Sequence, residues 1–458
     1  MDSVSHHALP TSAHPFAELP RAPGLPLIGC LHRMIRRRPE FFEEARAECG
    51  DLFVLDIGLD ELVVIGDAFH AEEVLVKQAK YFDKGGNMWA QLRKYTGQGL
   101  AFSEGELWRK QRRLMNPQFR RKRIQGFREV MAVTIDELVV ELDEQAAHGQ
   151  TFDVSTWTAK LLGTLTTRLL FGCELEAETF ERLRDAFGTV LGSFMLGAVT
   201  GALPSWMPVP GVGRLKAAMG VVHEIILELI AERRRSGAVG ADLLSMLAHA
   251  AGEDGAMSDR QLLDEIVVLY TAGYETTAQA LAWTMTALAD QPEVVATLQA
   301  RLDACEDDLA EPFLDATFRE GLRLFPSAPL LPRRVVEDVT LGGYEVPAGR
   351  QVLVLPWLIH RNPAHWSEPE RFDPARFLDG RQRPRLSWMP FGAGQRQCIG
   401  MGLAMMEGKL ALAAMLRRFT PRPADRPSEP VFAGTLGSAD GVWVRLASRT
   451  NTNSSQSV

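Results

Sequence analysis

The chain has 458 residues, of which 46% are apolar and 24% charged, with a formal net charge of −8. That length allows a large buried core, and an acidic chain without a Lys/Arg-rich tail argues against nucleic acid as a partner. Five cysteines, at 30, 49, 173, 305 and 398, form neither a disulfide framework nor a CxxC metal site, so a reducing, cytoplasmic compartment is expected.

In chain order, residues 1–25 read as an extended or disordered lead-in. The first twenty lack the basic and apolar regions of a secretory signal or membrane anchor. Segments 52–57 and 62–65, separated by Gly58 and Asp60, predict a β-hairpin. From 105 to 325 the 3.6-residue apolar period predicts helices. Two apolar stretches in this region, 190–209 and 262–289, are interrupted, the second by Asp264, Glu265 and Glu275, so neither is expected to span a membrane. A second β-rich patch follows at 335–341, 344–346 and 352–355. The proline-rich stretch 360–394 should be irregular and surface-wound. A last helix follows Cys398, and 448–458 reads as a disordered tail. The expected architecture is one domain, 26–447, mainly α with a small β-rich lobe.

Four places carry chemistry. Residues 109–123 hold eight cations and no acid; this is either a solvated face or a docking surface for an acidic partner. Ser258 and Gln261 form a capping-box pattern, opening a helix to about 289 that spans on the order of 45 Å. At its middle lies AGYETT, 272–277, where Gly273 removes bulk and a threonine hydroxyl can bond a backbone carbonyl. Glu275 there either pairs with a base or serves as an acid. In FREGLRLFP, Glu320 and Arg323 share a helical face, with Arg371 of PERF as a third member of a structural network. FGAGQRQCIG, 391–400, places Cys398 at a helix N-terminus, where the macrodipole and amide donors favour thiolate. Phe391 can cover the sulfur, and Arg396 can meet a carboxylate. The alternative is a buried structural cysteine.

Phe391, Gly394, Arg396, Cys398 and Gly400 fill every position of FxxGxRxCxG, and the chain thereby resembles the cytochrome P450 family over nearly its whole length. The resemblance implies that fold, with haem b (iron-protoporphyrin IX) ligated by Cys398 as the metal ligand, and monooxygenation of an apolar small molecule with O2. Terpenoids, fatty acids, steroids and polyketides all suit. Electrons would come from a ferredoxin or flavodoxin-type donor with its reductase. Glu275 and Thr276 match the family's acid and hydroxyl that deliver protons to dioxygen. Trp108 and Arg112 match WxxxR for a haem propionate, with Arg333, or its neighbour Arg334, and Arg396 as further partners. Residues 85–102 and 193–210 match the substrate-facing loop and access lid. Met88, Trp89, Phe194, Met195, Leu196 and Trp206 in them either line a pocket or pack the core. A peroxide-driven or isomerase-type haem-thiolate enzyme, or a non-catalytic haem protein, would typically lose the acid–threonine pair that this chain keeps.

Overall fold

A computed structural model describes residues 13–449, apart from 35, 37, 59, 87–88, 91–92, 94–95, 173–174, 193–210, 237–241, 250 and 253–254. In chain order the elements used below are β1 (Leu52–Asp56), β2 (Glu61–Ile65), β3 (Phe82–Asp83), α1 (Gly105–Met115), β4 (Phe152–Asp153), α2 (Val154–Phe171), α3 (Val212–Ser236), α4 (Asp259–Ala289), α5 (Pro312–Leu324), β5 (Leu331–Val335), β6 (Val339–Leu341), β7 (Tyr344–Val346), β8 (Gln351–Val354), α6 (Met401–Arg418), β9 (Phe419–Arg422), β10 (Pro430–Ala433), β11 (Thr435–Ser438) and β12 (Trp443–Ser448). The chain divides into two units, each discontinuous in sequence. One comprises Met1–Gly86, Leu330–Pro369 and Arg383–Gln397; the other comprises Asn87–Pro329, Glu370–Gln382 and Cys398–Val458.

The first unit is built on a five-stranded sheet in the order β1–β2–β8–β5–β3. The predicted hairpin forms, with Val54 opposite Val63 in β1 and β2. β8 runs parallel to β2 and antiparallel to β5. β-branched residues dominate the buried face, and Val54, Val63, Ile65, Val352 and Val354 are all fully buried. Such side chains contribute about 1.5–3 kcal/mol each on burial. β6 and β7 close through Gly342 and Gly343, both at positive φ, as a tight hairpin turn demands. Of the lead-in, residues 13–25 run along these strands, His14 bridging Tyr344 and Arg21 bridging Val54. The parts of 360–394 in this unit are irregular as expected but not surface-wound. His360, Trp366 and Met389 are buried; the Met389 amide donates to His360 Nε2 at 2.8 Å and the Trp366 indole to the Ser387 carbonyl at 3.2 Å. Backbone polar groups in an irregular segment can be buried only when satisfied in this way.

The second unit is helical and organised around α4. Its N-terminus carries the full capping box: Ser258 accepts from the Gln261 amide and the Gln261 side chain accepts from the Ser258 amide. In the C-terminal half of the helix Leu281, Ala282 and Met285 are fully buried. α2 begins at an Asp153 cap and stops at Gly172 in the left-handed conformation. After α6, where the expectation had only a helix and a tail, β9, β12 and β4 form a sheet and β10–β11 a hairpin. Among the described residues no helix is long and apolar enough to cross a membrane.

Candidate functional site

In the second unit, Cys398 immediately precedes the turn into α6. Its sulfur accepts the backbone amides of Gly400 and Met401, and the charge of Arg112 acts on it. The cysteine is exposed, yet it sits deep enough that desolvation dominates. Burial therefore pushes the thiol up, with the Gly400 amide, Arg112 and the Met401 amide opposing it in that order. The two amides favour thiolate, as expected of a cysteine at a helix start, and Arg112 adds to them, but desolvation is the larger effect, and a bound metal cation would offset it. Arg112 lies on α1 one turn beyond Trp108, which is 8% exposed. Burial lowers the guanidinium's proton affinity, and among the described residues no carboxylate pairs with it. A half-buried cation beside a cysteine sulfur, with no carboxylate from the described residues, fits a cofactor that carries carboxylates of its own.

The middle of α4 differs from its ends. Ala272 is exposed and Gly273, Glu275 and Thr276 are half-buried, whereas 262–268 and 280–285 are buried. The Thr276 hydroxyl donates to the Ala272 carbonyl at 2.7 Å, and the Ser327 hydroxyl donates to the Thr276 carbonyl at 2.6 Å. The helix stays continuous through both bonds. A Cβ on Gly273 would lie 3.5 Å from Thr166 of α2, an ordinary packing distance, so contact with α2 does not itself demand a glycine there. The Glu275 carboxyl has no basic partner among the described residues. Burial raises its proton affinity, against hydrogen bonds from Gln279, at 3.2 Å, and Thr435. A carboxyl without a counter-charge holds its proton more tightly than a free one, as a group that passes protons requires.

The Glu–Arg set is present with one member exchanged. Glu320 is bound by Arg323 at 2.7 and 2.9 Å and by Arg376 at 2.9 Å, and all three are buried. Arg371 is exposed and contributes its carbonyl, which accepts from Arg323 and Arg376 at 3.1 Å each. The path of residues 370–376 brings the later arginine, not the earlier, onto the carboxylate. Of the basic segment, Arg120, Arg121, Lys122 and Arg123 are exposed and form no ion pair with described residues, while Arg109 pairs with Glu106. Trp89 packs with Phe102 at 6.1 Å, beside Val268. Met88, Phe194, Met195, Leu196 and Trp206 lie outside the described residues.

In the first unit, Phe391 packs edge-on against Trp388. Gly394 has φ +68, and a Cβ there would meet the Leu75 carbonyl at 2.0 Å, so only glycine fits. Arg396 ends the short 3-10 turn Gly394–Arg396 and is partly buried. On β5 the two adjacent arginines face opposite ways. Arg334 is paired with Asp83 of β3 at 2.7 Å, while Arg333 is 8% exposed on the other face. The alternation of a strand thus separates the two candidates.

Sequence reasoning missed Arg376, the gripping role of Asp264 and Glu265 described below, and Glu407 of α6, a buried carboxyl pushed up to about 8 by burial alone. Only Asp264, Glu265 and Glu407 carried a signal: an acid inside an apolar helical run.

The family model for cytochrome P450 matches residues 19–438. Cyclooctatin synthase of Streptomyces melanosporofaciens is 32% identical over 435 residues, covering 90% of this chain and 93% of the relative. Cyclooctat-9-en-7-ol 5-monooxygenase of the same organism is 33% identical over 420 residues, covering 88% and 89%. Pentalenene oxygenase of Streptomyces avermitilis is 30% identical over 443 residues, covering 94% and 97%.

Proposed function

Because the chain belongs to the cytochrome P450 family and is a haem-thiolate monooxygenase working with dioxygen, a substrate and a redox partner, we propose that it holds haem b on Cys398 and oxygenates an apolar skeleton of the terpenoid kind. The observation that carries the reading is the sulfur of Cys398, which accepts two amides beside Arg112, a cation with no carboxylate partner among the described residues.

Bound there, haem supplies the reductive activation of dioxygen that the side chains lack. The Gly400 and Met401 amides and Arg112 disperse the negative charge of the sulfur. By their match to the family's motifs, Trp108, Arg112, Arg333 and Arg396 would serve as propionate partners and Phe391 would cover the sulfur. Glu275 would hold a proton on its carboxyl, and the Thr276 hydroxyl, which donates to the Ala272 carbonyl, would accept from a water that relays it. The accessible face of Ala272 and Thr276 leaves room for that exchange.

Two relatives are named for an alkene and for an unsaturated alcohol, pentalenene and cyclooctat-9-en-7-ol. Those names favour a sparsely functionalised hydrocarbon over a fatty acid, steroid or polyketide. The exposed, unpaired cations 120–123 suit an acidic ferredoxin or flavodoxin-type donor, whose encounter they would steer. We place the enzyme in the cytoplasm, as a single catalytic domain. The test supplies the purified protein with ferredoxin, reductase, NAD(P)H and labelled dioxygen, over a panel of terpenoid hydrocarbons, fatty acids and steroids. Label in a terpenoid alcohol or epoxide, preceded by a substrate-induced Soret shift to shorter wavelength, is the expected result. Label in no product, or turnover with peroxide alone, would overturn the reading.

A further inference from the structure

Residues 97–103 lie in the second unit against α4, and two adjacent carboxylates hold them there. The Gln98 amide donates to Asp264 Oδ2 at 2.8 Å, and the Leu100 amide donates to Glu265 Oε2 at 2.9 Å. Side chains of α1 continue the grip: Gln111 donates to the Gln98 carbonyl at 2.7 Å and accepts from the Ser103 hydroxyl at 2.5 Å. The approach is as close as backbone allows. A Cβ on Gly97 would meet Asp264 Oδ1 at 2.3 Å, and one on Gly99 would meet the Asp264 carbonyl at 2.4 Å.

The two acids are not equivalent. Asp264 is also paired with Arg260 at 3.2 Å, and His223 of α3 faces that same pair. Glu265 is fully buried, and its Oε1 has no hydrogen-bond partner. Among the described residues the one charge acting on it is that of Asp264, which is of like sign. Ionised, Glu265 would be a buried anion with a single amide donor and a negative neighbour; protonated, it is neutral and keeps the Leu100 bond. Four residues, or about 6 Å, beyond Val268 lies Ala272 on the open face of the helix. Phe102, at the end of the gripped segment, packs on Val268 with Trp89.

We propose that Asp264 and Glu265 are positioning residues that latch 97–103 onto α4, and that the latch slackens when Glu265 loses its proton, opening the apolar wall formed by Phe102 and Trp89. That this wall faces substrate rests on the reading of the preceding subsection; the latch does not.

The sign follows from linkage. Closed, burial holds the Glu265 carboxyl up at about 8; opened to water, it returns toward 4.5. Opening therefore becomes more favourable as pH rises between those values, by up to about tenfold per pH unit, and levels off above them. The test follows hydrogen exchange of the Leu100 amide in the full-length haem-loaded protein, corrected for intrinsic exchange, from pH 5 to pH 9, with 4-phenylimidazole association measured in parallel. Wild type should lose protection as pH rises to about 8 and then plateau, while Glu265→Gln, which keeps an acceptor but cannot ionise, should stay protected. His223, Arg260 and Asp264 are unchanged in that variant, so their titration cannot mimic the difference. Protection independent of pH in wild type, a result that needs no variant to fold, would overturn the latch, as would an identical pH course in the variant. If the latch holds but association stays flat with pH, the assignment of this wall to the substrate space fails instead.

Discussion

Arg112 and Cys398 act on each other electrostatically: the guanidinium favours the sulfur's anionic form, and the sulfur in turn favours the protonated guanidinium. Neither has an opposite charge that fully satisfies it among the described residues. A group that carries both a metal cation and carboxylates completes both partners at once.

Arg112→Leu should therefore cost haem retention by about tenfold or more, the worth of a charge-assisted hydrogen bond. The ratio of Soret to protein absorbance after gel filtration measures this. Arg112→Lys keeps the charge but not the two-pronged donor and should fall between.

The exchange of Arg371 for Arg376 separates two substitutions that look alike. Arg376→Leu leaves Glu320 short of one buried partner and should destabilise by about 3–5 kcal/mol. Arg371→Ala preserves the carbonyl that Arg323 and Arg376 use, and should cost less than about 1 kcal/mol. Denaturant unfolding of the two variants, compared at one pH, checks the contrast.

Glu407 gives a pH dependence of stability. Its carboxyl is raised from 4.5 to about 8 in the folded protein by burial, so the native state holds the proton more tightly than the unfolded chain. Stability from this group is complete below 4.5 and is lost as pH climbs to about 8. Glu407→Gln should match wild type near pH 4.5 and exceed it by on the order of a few kcal/mol at pH 8, measured by unfolding at both pH values.

Glu275→Gln removes the transferable proton, and Thr276→Val removes the hydroxyl that rests on Ala272. Each should lower product formed per NAD(P)H by about a hundredfold, with peroxide released instead. Thr276→Ser should retain most coupling. Peroxide and product titrated together measure the outcome.

What could be read along the chain was what local pattern carries. Ser258 and Gln261 mark the start of α4 within one residue because a capping box is a contact between near neighbours. The loop before α6 was legible through its fixed spacing, with Gly394 required by the Leu75 carbonyl. Two arginines five apart in a proline-rich stretch show no periodicity, so nothing local chose Arg376 over Arg371. β4 pairs with β12, about 290 residues away, and so short a strand gains its stability only from that partner. Asp264 and Glu265 looked like interruptions of an apolar run because the amides they hold lie about 165 residues upstream.

The most direct measurement is the carbon monoxide difference spectrum of the reduced protein beside that of Cys398→Ala. Wild type should show the long-wavelength Soret band of a thiolate-ligated iron, and the variant should lack it. A variant that keeps the band, or a wild-type protein that never takes up haem, would contradict the assignment of Cys398.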